Sequence, residues 1–143
     1  MTYDETKMLL DEIKHKKTLL RMVKRQIEEA RSQIDCLRAQ DYGGIAVQGG
    51  RKEAVAERFV EHMERLEKRY ESLMNEAFRC EDMLSDALPK LTDIEQAIII
   101  ERYIHGKSWR KIQQEFNYAE RQPYRIADSA IKKISKNLKD GSK

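Results

Sequence analysis

Two runs of heptad-spaced apolar residues, separated by a single glycine-rich break, constrain this chain more than any other feature. Leu9, Ile13, Lys16, Leu20, Val23, Ile27, Ala30, Ile34 and Leu37 follow alternating steps of four and three, and only Lys16 is polar. Ala56, Phe59, Met63, Leu66, Tyr70, Leu73, Ala77, Cys80, Leu84 and Ala87 repeat the same steps, and all are apolar. A period of 3.5 puts such residues on one narrow seam of a helix, the coiled-coil pattern. Each segment of roughly 35 residues would span about 50 Å at 1.5 Å per residue. Residues 40–50, QDYGGIAVQGG, break both the period and the helix propensity with two Gly-Gly pairs, which predicts a loop where the chain reverses.

The residues beside the seam bear on assembly. A lone pair of helices buries one stripe each. Leu10, Leu19, Val55, Val60 and Met74 widen that stripe, so two or more chains are expected to pack their hairpins together, with a dimer favoured. The competing expectation is a monomer whose C-terminal domain covers the extra apolar surface.

Composition excludes several classes. Charged residues make up 37% of the chain and aromatics 7%, as expected of long solvated helices. No apolar run approaches the roughly 20 residues that cross a membrane. The opening MTYDETKMLLDEIKHKK is too charged for a secretory signal, so a soluble cytoplasmic protein without a membrane partner is expected. Cys36 and Cys80 belong to no CxxC pair; in a hairpin folded about residue 45 they stand about 40 Å apart, too far for a disulfide. His15, His62, Asp11, Glu12, Glu64, Glu67 and Glu71 read as solvated helix faces, with no HExxH or ExxH pair at the seam, so no metal is expected. Gly43-Gly44 lacks the GKS/T of a phosphate-cradling loop. No nucleophile–base pair or paired acid/base carboxylates stand out, so neither an enzyme nor a cofactor is expected.

The last third is different in charge and pattern. Residues 1–90 hold 17 Lys/Arg against 18 Asp/Glu, whereas residues 102–139 hold 10 against 3. A local excess of that size attracts polyanions such as the DNA backbone. Leu88-Pro89-Lys90 predicts the end of the second long helix, because proline disfavours helical geometry in the residue before it. Thr92 with Glu95 three residues on forms a capping box, and Gly106 fits the position just past a helix end. Ser108 can cap a short second helix with Trp109, Ile112 and Phe116 inward, and Asn117-Tyr118-Ala119 makes a tight turn. A long basic helix follows, with Ile126, Ala130, Ile131, Ile134 and Leu138 inward. The expected fold class is therefore all-α. A long antiparallel helical hairpin over residues 1–88, with its loop at 40–50, precedes a three-helix helix-turn-helix domain over 89–143.

The stretch LTDIEQAIIIERYIHGKSWRKIQQEFNYAERQPYRIADSAIKKI resembles region 4 of sigma-70-type factors, which reads the −35 promoter element. The shared pattern is L-T-x-x-E, R-Y/F-x-x-G-x-S/T, I-x-x-E-F and A-L/I-x-K-I/L, over about fifty residues. No counterpart of the promoter-melting region 2 is present. Hairpin plus region-4-like unit is similar to small phage and prophage proteins of Gram-positive bacteria, of the ArpU and RinA types. That resemblance implies a late-gene transcriptional regulator that binds double-stranded DNA. It places base reading on Glu120, Arg121, Gln122, Tyr124 and Arg125. Arg121 and Arg125 suit guanine, Gln122 adenine, Glu120 cytosine, and Tyr124 a thymine methyl or a phosphate. Lys107, Ser108, Arg110 and Lys111, with Lys132 and Lys136, are placed to hold phosphates. Pro123 departs from the pattern, which has an aliphatic residue there. If the helix starts near Gln122, with Pro123 at its first helical position, Glu120 and Arg121 belong to the turn. Gln113 also departs, at a position usually small. Two other roles fit the same residues: a DNA-packaging component like a small terminase subunit, or an adaptor whose region-4-like unit docks on RNA polymerase.

Overall fold

The computed structural model describes the backbone of residues 1–42 and 49–141 and the side chains of residues 1–39 and 54–138. The fold is all-helical, and no strand occurs among the described residues. Two long helices, α1 (Tyr3–Tyr42) and α2 (Gly49–Leu84), precede a 3₁₀ turn at Leu88–Lys90. Then come α3 (Asp93–Ile99), a π-helical turn at Ile100–Ile104, α4 (Trp109–Phe116) and α5 (Gln122–Gly141). Of the expected loop, residues 43–48 lie outside the described residues; residues 40–42 belong to α1 and 49–50 to α2. Every seam position read from the heptads is buried or half-buried.

Contacts divide the chain into two compact units, one of Met1–Thr18 with Asn75–Lys143 and one of Leu19–Met74. This division differs from a boundary at residue 88. The core contacts explain why: Leu9, Leu10 and Ile13 of α1 and Leu84 of α2 pack with residues of the C-terminal helices.

The unit of Leu19–Met74 is held by a slim core. Val23, Ala30 and Leu66 are buried, with Ile27, Met63, Tyr70 and Leu73 packed against them. Arg31 and Glu67 approach to 3.8 Å across the surface, an exposed pair of about 0–1 kcal/mol. Met22, Val55 and Met74 remain exposed.

The larger unit has two cores. The first joins Leu9, Leu10 and Ile13 to Leu84, Ala87, Leu91, Ile99, Tyr103, Ala130, Ile131 and Ile134. Leu10 is fully buried here, so it is not among the apolar residues free to widen a contact with a second chain. Lys16, the one polar seam residue, sits between Glu76 at 2.8 Å and Glu12 at 3.3 Å and thereby keeps its charge solvated and paired. The second core is Ile98, Ile112 and Ala127 with Trp109, Phe116, Tyr118 and Ile126 around it.

Local chemistry sets the helix ends. α2 stops at Leu84, short of the expected residue 88, and a turn leads to the 3₁₀ segment with Pro89 in its first residues. The Thr92–Glu95 capping box forms in both directions at the start of α3. After Ile99 the helix widens to π geometry, His105 N donating to Ile100 O at 2.9 Å, and the widened turn closes at Gly106, whose φ of 71° suits glycine.

Candidate nucleic-acid interface

Three elements of the larger unit build the basic face. α4 is capped by Ser108, the residue before it, whose hydroxyl oxygen accepts from Lys111 N at 3.2 Å. It is closed by Asn117, the residue after it, held left-handed at φ 54°, a conformation asparagine tolerates better than most residues. The chain then turns through residues 117–121 and enters α5 at Gln122. Pro123 is the second residue of α5 and is fully buried. In a first helical turn its missing N–H costs nothing, so the ring occupies a core position where the sigma-like pattern has an aliphatic side chain.

α5 is pinned on two flanks. On one, Glu95 of α3 accepts from Lys133 Nζ at 2.7 Å and from Ser129 Oγ at 3.1 Å. Burial pushes this carboxyl up, but the bonds from Lys133, Thr92 and Ser129 overcome it and hold it down to about 2. On the other flank Tyr3 Oη donates to Asp128 Oδ1 at 2.7 Å, and Ser135 Oγ donates to the Met1 carbonyl at 2.6 Å. The bond to Asp128, with burial, pushes the Tyr3 phenol up to about 12.

Between those flanks lies an outward stripe. At about 100° per residue, Arg125, Lys132 and Lys136 fall within about 40° of one another, opposite buried Ala127, Ala130 and Ile134. All three cations are exposed. Gln122 and Tyr124 stand on opposite sides of this stripe, about 160° apart around the helix. The five base-reading residues expected from the resemblance therefore do not share one helical face. Glu120 and Arg121 precede α5 and lie in the turn, exposed.

Tyr124 is engaged elsewhere. Its ring packs on Trp109 with centroids 4.6 Å apart, and the Arg102 guanidinium lies over the same Trp109 ring, 4.7 Å from its centroid. Arg102 Nη1 also donates to the Lys107 carbonyl at 3.0 Å, so the stack ties the π-helical turn to α4 and α5. Among the expected phosphate holders, Ser108, Arg110, Lys111, Lys132 and Lys136 are exposed. Lys107 is half-buried and paired with both Glu101 and Glu115, and these carboxylates raise its affinity for its own proton. Its charge is largely used inside the unit. Lys132 pairs with Asp128 at 3.1 Å. Among the described residues Arg110, Lys111, Arg121 and Arg125 form no ion pair.

The Arg102–Trp109–Tyr124 stack and the Tyr3–Asp128 bond have no signal in the linear sequence, because their partners come from different elements. Among the described residues, no helix is long and apolar enough to cross a membrane. Residues 4–136 match the model of a family described as "Protein of unknown function (DUF722)". No curated protein and no solved structure matches the chain.

Proposed function

We infer that this chain, which belongs to the DUF722 family, is a sequence-specific binder of double-stranded DNA and a phage- or prophage-type transcriptional regulator. The observation that carries the reading is the stripe of Arg125, Lys132 and Lys136 on the exposed side of a helix clamped on both flanks. A rigid helix with a cationic outer face suits the major groove, whose width admits one α-helix. Arg125 in the first turns of α5, with Arg121 in the turn before it, is the pair for guanine edges; Gln122 on the α3 flank suits adenine. Arg110 and Lys111, without an ion pair among the described residues and at the start of α4, suit the flanking phosphates, with Ser108 able to donate its hydroxyl proton. Glu120 in the turn and Tyr124 in its stack contribute at the edge of such a contact rather than at its centre. The late-gene assignment rests on the resemblance to ArpU and RinA-type proteins.

The test uses the purified chain and duplexes selected by it from random DNA. Arg125→Ala should cost about 1–3 kcal/mol on the selected site and relax preference at one base position, in a binding assay at fixed salt. Unchanged binding by the variant would overturn the reading. Weak, sequence-independent DNA binding beside tight RNA polymerase binding would point to the adaptor role, and a ring of about eight or more subunits to packaging.

A further inference from the structure

The larger unit brings the first turns of α1 against α5. Residues 1 and 3 are tied to it at Ser135 and Asp128, two helical turns apart. One turn further along α1, Lys7 lines a cleft of about 510 Å³ with Asp11, Arg102, Trp109, Tyr124 and Asp128. Lys7 is exposed and forms no ion pair among the described residues. Arg102 Nε is buried and has no hydrogen-bond partner among the described residues, although Nη1 of the same group is used. The cleft thus offers an exposed ammonium and an aromatic wall of Trp109 and Tyr124, the latter next to Arg125 in the chain. Its carboxylates are unequal: Asp128 already accepts from Tyr3, pairs with Lys132 and feels the charge of Lys7, while Asp11 lies one turn along α1 from Lys7.

We propose that this cleft seats a phosphodiester of the DNA backbone, with Lys7 as its principal contact and the Tyr124–Trp109 wall against the adjoining sugar. The inference rests on the reading of α5 as the helix that enters the groove. A compact anion fits better than a base edge. Lys7 is a point charge without the fork that reads guanine, and no side-chain amide lines the cleft. The contact would anchor α1 to the same DNA that α5 reads, and it carries no sequence information. Asp128 opposes it, because its negative charge repels the phosphate that Lys7 attracts.

The experiment measures binding of the full chain to its selected duplex and to an unrelated duplex across a salt series, for the wild type and three variants. Lys7→Gln should weaken binding to both duplexes by a similar factor, on the order of three- to tenfold at low salt, and make the log–log salt slope shallower by about one. Lys7→Arg should restore both quantities. Asp128→Asn, whose amide oxygen can still accept from Tyr3, should tighten both complexes. If the wild type binds the selected duplex and Lys7→Gln matches it in affinity and slope, the contact is overturned and the reading of α5 stands. A wild type that binds neither duplex overturns both.

Discussion

Glu95 is only 5% exposed and is nonetheless an anion, because Lys133, Ser129 and the Thr92 backbone all donate to it. The linkage has a definite sign. The unfolded chain carries the ordinary carboxyl value of 4.5 and the folded one about 2, so the clamp contributes fully above about 4.5 and is lost as pH falls towards 2. Its expected size is roughly 2–3 kcal/mol. Urea unfolding between those pH values should show the wild type losing that increment beyond what Glu95→Gln loses, the variant's acid limb keeping only the loss from other paired carboxylates such as Glu101 and Asp128. Parallel acid limbs would contradict the assignment. Half of this was legible in sequence, since Thr92 and Glu95 have capping-box spacing. The other half was not, since only the packing of α3 on α5 brings Lys133 and Ser129 to that carboxylate. Lys107 repeats the lesson: Glu101 and Glu115 reach it from two different elements.

At the level of elements, the heptads were a reliable guide, because a 3.5 period leaves few ways to bury a stripe. The seam residues are buried or half-buried throughout, Lys16 included. The π-helical turn at Ile100–Ile104 was invisible, as one extra residue in a turn barely disturbs an apolar period over so short a helix. Pro123 was legible as a departure, and its buried place in the first turn of α5 explains why Glu120 and Arg121 fall in the preceding turn. In the unit of Leu19–Met74, the buried side chains among the described residues, Leu20, Val23, Ala30, Ile34 and Leu66, make a thin core, while Met22, Val55 and Met74 stay exposed. We therefore expect the helical pair to self-associate, as a dimer. Sedimentation that finds only monomer at tens of micromolar, a concentration at which micromolar affinities are saturated, would refute this.

For the whole molecule, the expected boundary at residue 88 has a direct test. A fragment of residues 89–143 keeps Leu91, Ile99, Tyr103, Ala130, Ile131 and Ile134 but loses Leu9, Leu10, Ile13, Leu84 and Ala87, which pack against them. Truncating one buried leucine or isoleucine to alanine typically costs about 2–5 kcal/mol, and a small domain has about 5–15 in all. The fragment should show weak helicity by circular dichroism and no cooperative thermal transition, whereas the full chain should show both. A sharply melting fragment would restore the boundary. The sequence could not reveal this arrangement, since the heptad run of α1 looks the same on both sides of Thr18.

The division at Thr18 and Asn75 also orders events during synthesis. Residues 19–74 are contiguous, so that unit can close as soon as it leaves the ribosome. The other unit must hold Leu9, Leu10 and Ile13 in waiting until Ala130, Ile131 and Ile134 have been made. At about 5–20 residues per second that delay is on the order of ten seconds. For that interval the first turns of α1 present an apolar strip to the surrounding solvent, and α5 is the helix that finally covers it.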